Sequence, residues 1–136
     1  MGNYCYQLFT DVRKDWPSAR QDCLSKGGDL VSIVGVHEQA YISAMIISSA
    51  GHGSLSFWTG GNDRDQRGGW RWSDGSPFRF VLWSQGEPRR KHCVSITAID
   101  GRWKAQDCPT NQAYMCKKLP AGVTTVATTL PTTPAP

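Results

Sequence analysis

The chain lacks the paired Cys-x-x-Cys spacing of zinc ribbons, although it contains five cysteines. None of them stands in a sequence typical of a thiol nucleophile. A disulfide framework explains them better than a structural zinc site or cysteine catalysis, and it indicates an oxidising, extracellular or luminal setting. The cysteines are Cys5, Cys23, Cys93, Cys108 and Cys116.

The chain also has little that points to an enzyme. His37-Glu38 begins like a zinc-protease helix, but Tyr41 stands where the second histidine is needed. There is no Gly-x-Ser-x-Gly elbow, Walker loop or dinucleotide fingerprint, and the histidines have no evident acid or nucleophile partner in sequence. We therefore predict no catalysis, no cofactor and no bound metal.

Long hydrophobic runs are absent as well. The most apolar stretch, Ala40 to Ile47, is interrupted by Ser43 and falls far short of the roughly 20 residues that span a bilayer. We expect no membrane insertion by this segment, and we expect any export signal or anchor to lie outside this chain.

What the chain does have is charge concentrated in one region. Its 136 residues suit one globular domain with a net charge of +4, and residues 64 to 104 carry nine Arg or Lys against four Asp or Glu. A one-sided excess of this kind can hold an acidic partner, and the alternative is a solvated surface.

Two helices are predicted in the first half. Asp15 can cap a helix whose first turn accepts Pro17 and which Gly27-Gly28 ends. A second helix is predicted from about Val36 to Ser49. The expected inward residues are Trp16, Ala19 and Cys23 on the first helix, and a stripe of Ala40, Ala44 and Ile47 with Tyr41 and Met45 beside it on the second.

The second half reads as short strands separated by turns, of which Asp74-Gly75 and Asp100-Gly101 are the clearest. Two helices followed by antiparallel strands predict an α+β domain. The long irregular stretch between Asp74 and Cys93 is typical of a functional loop. The predicted strands are Leu30–Ile33, Phe57–Thr59, Trp70–Trp72, Cys93–Thr97, Arg102–Lys104 and Tyr114–Cys116.

After Lys118 the composition becomes uncharged and rich in Thr and Pro. We predict a domain over residues 1–118 and a disordered linker or stalk over residues 119–136.

Several motifs in the right order resemble a C-type lectin-like domain over residues 4–118, most closely the repeated domains of the mannose-receptor group of endocytic receptors. The resemblance implies two helices packed on short antiparallel sheets with a long loop. It also implies bridges Cys23 to Cys116 and Cys93 to Cys108, with Cys5 left from an extra N-terminal bridge. The motifs include Trp16-Pro-Ser-Ala-Arg-Gln-Asp-Cys23, Gly28-Asp-Leu-Val-Ser-Ile33, Trp58-Thr-Gly60, Trp70-Arg-Trp-Ser-Asp-Gly75 and Tyr114-Met-Cys116.

The resemblance also locates the calcium ligands of sugar-binding members, and most of them are missing here. The sugar-binding triplet is Glu87-Pro88-Arg89, so only Glu87 keeps an oxygen ligand. Lys91 and His92 replace the acids before Cys93, and Lys104-Ala105 replaces an Asn-Asp pair. Calcium needs six to eight oxygens, so we predict no calcium site. In the auxiliary site Asp63 matches, whereas Arg67 and Arg90 stand at positions that are usually acidic.

The tryptophans offer two interpretations, as sugar-stacking platforms or as core. Trp58, Trp72, Trp83 and Trp103 fall at positions that are core in the family, which favours packing; the exposure of Trp70 is left open.

The cation run at the loop apex is the main candidate for ligand binding, because the family usually binds ligands there. The alternative is a solvated loop without a partner. We expect Lys104 to lie near the run across a strand pair, and Arg64 and Arg67 to extend the patch. The candidates are Arg89, Arg90, Lys91, His92, Lys104, Arg64, Arg67 and Glu87.

Together these features predict a calcium-independent recognition domain of an extracellular or cell-surface receptor. The expected partner is an extracellular protein or a sulfated or other anionic glycan, with no nucleic acid, and the isolated chain is expected to be monomeric. The alternatives are a structural spacer in a multi-domain receptor and a lectin with a degenerate site.

Overall fold

The computed structural model describes residues 3–49, 55–65 and 68–119. Within these ranges the chain forms two helices and seven strands. The elements are β1 (Cys5–Lys14), α1 (Trp16–Ser25), β2 (Asp29–Leu30), α2 (Val36–Ser49), β3 (Ser56–Asn62), β4 (Arg71–Trp72), β5 (Cys93–Thr97), β6 (Trp103–Gln106) and β7 (Gln112–Lys118).

The described strands form one sheet in the order β1-β7-β3-β5-β6, with β2 on β7 and β4 on β3. The pairing of β3 with β7 is parallel, whereas the other strand pairs are antiparallel. The α+β class is confirmed, although the sheet is mixed rather than antiparallel throughout.

Helix α1 follows the sequence prediction. The Asp15 side chain accepts a hydrogen bond from the Ser18 backbone N–H at 2.9 Å, and Pro17 lies in the first turn. The inward face consists of Trp16, Ala19 and Cys23, as predicted. The bonds with Ser18 lower the pKa of Asp15 below its ordinary value.

Helix α2 has the predicted bounds but the wrong face was predicted to be buried. Glu38, Gln39, Ile42 and Ile46 are buried, whereas Ile47 is 60% exposed. The remaining residues of the expected stripe, Ala40, Tyr41 and Ala44, are also exposed, and Met45 is half-buried.

Polar contacts explain this rotation of the helix. The Gln39 amide N–H donates to the Gly101 carbonyl at 2.7 Å, and Gln39 Oε1 accepts from the Trp103 indole N–H at 2.9 Å. Glu38 pairs with the Lys117 ammonium at 2.7 Å. Buried polar groups are tolerated when they have hydrogen-bond partners inside the protein. Glu38 and Gln39 can therefore be buried, although a hydrophobicity pattern predicts that they face solvent.

The structure adds one strand to those predicted and changes the bounds of most of the others, with β3 and β7 extending beyond the predicted ranges at both ends. Strand β5 has the predicted bounds, and Gly75 and Gly101 adopt the positive φ expected of the two turns. Strand β1 was missed, although it pairs with β7 over much of its length. Strand β2 is shorter than predicted, since only Asp29 and Leu30 pair with β7.

Both predicted bridges are present. Cys23–Cys116 ties α1 to β7, and Cys93–Cys108 ties the start of β5 to the segment after β6. Cys5 is an exposed free thiol. The first bridge lies in a core cluster with Trp16 and Trp58, and the two disulfides hold the chain ends and the loop base against the sheet.

Some predictions fall on residues outside the described ranges. These are Arg67 and the linker beyond Leu119. Neither described helix has the length and hydrophobicity needed to cross a bilayer.

Candidate functional site

Aromatic side chains fasten the long loop between Asp74 and Cys93 to the sheet. The rings of Phe80 and Trp83 meet Trp103 edge-on with centroids 5.9 and 5.8 Å apart, and Phe78 contacts Trp72 at 4.7 Å. The backbone adds a hydrogen bond from the Ser84 N–H to the Trp103 carbonyl at 2.8 Å. The loop is therefore packed against the molecule, which is how an irregular segment can present side chains in fixed positions.

The tryptophans pack rather than form an exposed platform. Trp58, Trp72 and Trp103 are buried, and Trp83 is half-buried against the core, which confirms the core interpretation. Trp70 is also half-buried, with its ring centroid 5.2 Å from that of Trp83.

Glu87 is held from several sides. Its Oε1 accepts hydrogen bonds from the backbone N–H groups of Ala105, at 3.0 Å, and Arg89, at 3.1 Å. Its Oε2 lies 2.9 Å from Arg89 Nε, and the Glu87 side chain is only 7% exposed. The carboxylate thus joins the loop to β6, with the Arg89 side chain as its counter-ion.

Lys91 and His92 of the run also have acidic partners. Lys91 Nζ lies 2.8 Å from Asp107 Oδ2, and His92 Nδ1 lies 2.8 Å from Asp63 Oδ1. The Asp63 N–H also donates to the His92 carbonyl at 3.0 Å, so this contact links the end of β3 to the start of β5. Three of the four basic residues at the apex therefore serve contacts within the protein.

Arg90 differs from its neighbours. It is exposed, and its side chain has no ion pair or hydrogen bond with any residue that the structure describes. Among the four residues of the run, it is the one whose side chain has no partner among the described residues.

Lys104 is brought near the run only through the backbone. It follows Trp103 on β6 and stands opposite Ser95, one residue before the Ala105 N–H that binds Glu87. Its charge is felt at the β5–β6 turn, where a hydrogen bond from the Thr97 hydroxyl, the Arg102 N–H and the charges of Arg102 and Lys104 lower the pKa of Asp100.

Arg64 lies against a different part of the molecule. Its guanidinium lies over the Trp16 ring, 5.1 Å from the centroid, and it lines a cleft beside α1. Arg67 lies outside the described residues. The structure therefore joins Glu87 to Arg89 and keeps Arg90 beside them, but it directs Arg64 elsewhere.

Sequence reasoning missed Asp107 and two of the arginines that line the α1 cleft, Arg20 and Arg71. Asp107 precedes Cys108, whose bridge to Cys93 brings it toward Lys91, so the disulfide prediction held a signal for this pair. Arg20 and Arg71 are far apart in sequence, and only the folded sheet brings them to the cleft that Arg64 also lines.

The two acids retained from the family pattern, Glu87 and Asp63, are engaged within the protein. Glu87 has both oxygens engaged, and Asp63 accepts from or pairs with His92. The described residues contain no group of three or more His, Cys, Asp or Glu side chains that could hold a metal ion. The side chains beside these two acids are mostly basic, whereas a hard divalent cation is bound by oxygen ligands.

Comparison with known proteins identifies the family. The family model of the Lectin C-type domain matches residues 12–118, and the chain belongs to this family. Human C-type mannose receptor 2 is 37% identical over 120 residues, which cover 85% of this chain and 8% of that protein. The galactose-specific lectin nattectin of Thalassophryne nattereri is 34% identical, covering 86% of this chain and 75% of the lectin.

The fold is shared with solved structures. That of a calcium-independent type II antifreeze protein superposes with a TM-score of 0.76 at 29% identity, covering 88% of each chain. The predicted C-type lectin-like fold and the similarity to mannose receptors are confirmed.

The chain is an extracellular or cell-surface domain, as its disulfides and its receptor and lectin relatives indicate. These relatives are receptors and lectins rather than enzymes. The chain spans less than a tenth of the receptor's length.

Proposed function

We propose that this domain recognises an extracellular ligand without calcium, as part of a receptor. The observation that carries the proposal is the Glu87 carboxylate, whose oxygens bind two backbone N–H groups and the Arg89 guanidinium. The protein itself thus supplies the positive charge that a metal ion supplies in sugar-binding members of the family.

Electrostatics opposes a metal at this position. A cation about 4 Å from a bound ion repels it by about 1 kcal/mol per unit charge in water and about 4 kcal/mol at an intermediate dielectric, and these values double for a divalent metal. Arg89 forms an ion pair with Glu87, and Arg90 and Lys91 are the next two residues in the sequence. Calcium binding would also have to break the contacts that fasten the loop to β6.

The proposed ligand is a protein surface or an anionic glycan that meets Arg90 at the loop apex. Arg90 is exposed and has no partner among the described residues, and the packed loop limits the ordering entropy lost on binding. A sulfate or carboxylate would receive charge-assisted hydrogen bonds from its guanidinium. We place the end of this recognition domain near Lys118 and assign residues 119–136 to a linker.

A glycan array that includes sulfated glycans, run with calcium and with chelator, tests the ligand class. We expect binding of anionic glycans that chelator leaves unchanged and that salt weakens. Metal-dependent binding of neutral sugars such as galactose, the sugar in the name of the lectin nattectin, would contradict the proposal.

Charge reversal at the loop tests the position of the site. The Arg89→Glu and Arg90→Glu double variant should lose binding, and Arg90→Glu alone should account for most of the loss because Arg89 already pairs with Glu87. The matched control is Arg13→Glu with Lys14→Glu on β1. Equal losses in the two double variants would mean that only net charge matters.

A spacer role is the second candidate, and the small share of the mannose receptor that the chain spans favours it. It predicts no binding on a glycan array or to any extracellular protein. In that case the contacts that hold the loop would still stabilise the domain, but replacing Arg90 would not change the function of the parent protein.

A further inference from the structure

An open cleft of about 600 Å³ lies between α1 and the β3–β4 hairpin, away from the cation run. Three arginines from different elements line it: Arg20 on α1, Arg64 after β3 and Arg71 on β4. No residue from Glu87 to His92 is among its described lining residues. Its volume lies within the range of small-molecule sites, about 300 to 1,000 Å³.

Arg20 is fixed but keeps donors free. Its Nε and Nη2 bind the two oxygens of Asp29 at 3.1 and 3.2 Å, and Nη2 also donates to the Ser73 carbonyl at 3.2 Å. A guanidinium has five N–H groups, so the two on Nη1 remain unused by the described residues. The bidentate contact sets the plane in which those two point.

The Arg64 side chain is held by a cation–π contact. Its guanidinium lies over Trp16, and the indole of Trp16 is itself fixed by a hydrogen bond to the Thr59 carbonyl at 2.8 Å. The Arg64 side chain has no acidic partner among the described residues. A guanidinium held over a ring in this way keeps all five donors and loses little rotamer freedom when it binds an anion.

Arg71 completes the set with a loose contact. Its Nη2 lies 3.6 Å from Asp65 Oδ2, which is longer than a hydrogen bond. Asp65 is the one acid among the described lining residues, and Asp29 offsets the charge of Arg20. Three guanidinium groups against these two carboxylates leave the cleft positively charged.

We propose that this cleft binds the sulfate group of a sulfated glycan. A tetrahedral sulfate presents oxygens in several directions and so suits donors that come from three elements, whereas one arginine can satisfy a planar carboxylate in bidentate fashion. The ligand class rests on the proposed function, but the site depends neither on the cation run nor on the absence of calcium.

The test is titration of the whole chain with a sulfated heparin-type disaccharide, followed by calorimetry and by NMR of the arginine Nε–H groups. The Nε–H signals of Arg64 and Arg71 should shift. Arg64→Ala should weaken binding about tenfold or more, since a hydrogen bond to a charged group contributes about 1.5 to 3 kcal/mol and about 1.4 kcal/mol equals a factor of ten. Arg64→Lys should recover part of the loss, because lysine keeps the positive charge but lacks the planar set of five N–H donors.

Two alanine variants control for charge. Arg13→Ala and Lys14→Ala each remove one positive charge from β1, away from the described lining of the cleft. Both should change the affinity less than about twofold, within the range usual for a rim charge. Melting temperatures check that each variant is folded.

The remaining outcomes separate the two proposals. If Arg90→Ala loses binding and Arg64→Ala does not, the cleft is excluded as the site while anionic recognition by the loop stands. If the unaltered chain binds no sulfated disaccharide, the cleft inference is wrong. Calcium independence is tested separately, by calcium titration of thermal stability. If an acidic peptide binds equally well and competes, the sulfate preference is overturned.

Discussion

At the scale of single residues, Glu87 illustrates how a position can keep its residue type and change its role. In the family pattern a glutamate here is a metal ligand, whereas in this chain its carboxylate accepts from Ala105 and Arg89 and is nearly buried. Arg89, two residues further along the chain, forms an ion pair with this carboxylate. The residue therefore acts as a fastener of the loop on β6.

Replacing Glu87 with Ala should destabilise the domain by about 1 to 3 kcal/mol, because it leaves the Ala105 N–H without its acceptor and Arg89 without its counter-ion. Glu87→Gln should cost less, since the amide oxygen can still accept. Denaturant unfolding measures both. Asp11→Ala, an exposed acid on β1, is the control, and equal stability of the Glu87→Ala and Asp11→Ala variants would contradict the fastening role.

Asp22 provides a prediction for acid pH. Hydrogen bonds from the Lys26 ammonium and then the Tyr114 hydroxyl lower its pKa in the folded state. Its unfolded value is about 3.9, so its contribution to stability is complete above that pH and is lost as the pH falls through the lower folded value. Asp22→Asn should therefore reduce stability at neutral pH and flatten the loss below about pH 4.

Unfolding in urea at several acid pH values checks this, with Asp11→Asn as the control. An acid-side slope of the Asp22→Asn variant equal to that of the unaltered chain would show that Asp22 does not contribute in this way.

At the scale of elements, local signals predicted some structures and tertiary contacts overrode others. Helix α1 was predictable because its cap and its inward residues are encoded within ten residues. The buried face of α2 was not, because Gln39 turns inward to reach Gly101 and Trp103, about sixty residues away. Strand β1 lacks alternating hydrophobicity and forms by pairing with β7 at the other end of the domain.

The two disulfides should differ in their contribution to stability. Cys23–Cys116 spans 93 residues and Cys93–Cys108 spans 15. In the chain-entropy account the long bridge contributes about 4.7 kcal/mol and the short one about 3 kcal/mol. Paired serine variants of the long bridge should therefore melt at lower temperature than those of the short one.

Cys5→Ser is the control for this series, because Cys5 is exposed and unbonded, and it should leave the melting temperature unchanged. A short-bridge variant less stable than the long-bridge variant would show that packing of the loop, rather than chain entropy, governs the contribution of these disulfides.

At the scale of the whole molecule, the domain keeps the C-type lectin frame and carries basic residues in the loop where sugar-binding members of the family have calcium ligands. The family and both bridges followed from sequence motifs, because cysteines and tryptophans at fixed positions determine this frame. The pairing of the loop cations could not be predicted, because Asp63 and Asp107 come from segments that only the folded sheet brings beside His92 and Lys91. The sequence therefore predicted the basic loop, but it did not predict which of the basic side chains pair with acids inside the protein.

Calcium titration of thermal stability tests the central claim most directly. A ligand that binds only the folded state at 100 times its dissociation constant adds about 2.7 kcal/mol, which raises the melting temperature of a domain of this size by about 10 °C. We predict the same melting temperature in chelator and in millimolar calcium, with magnesium as the control cation. A saturable rise with calcium alone that Glu87→Gln abolishes would contradict the account.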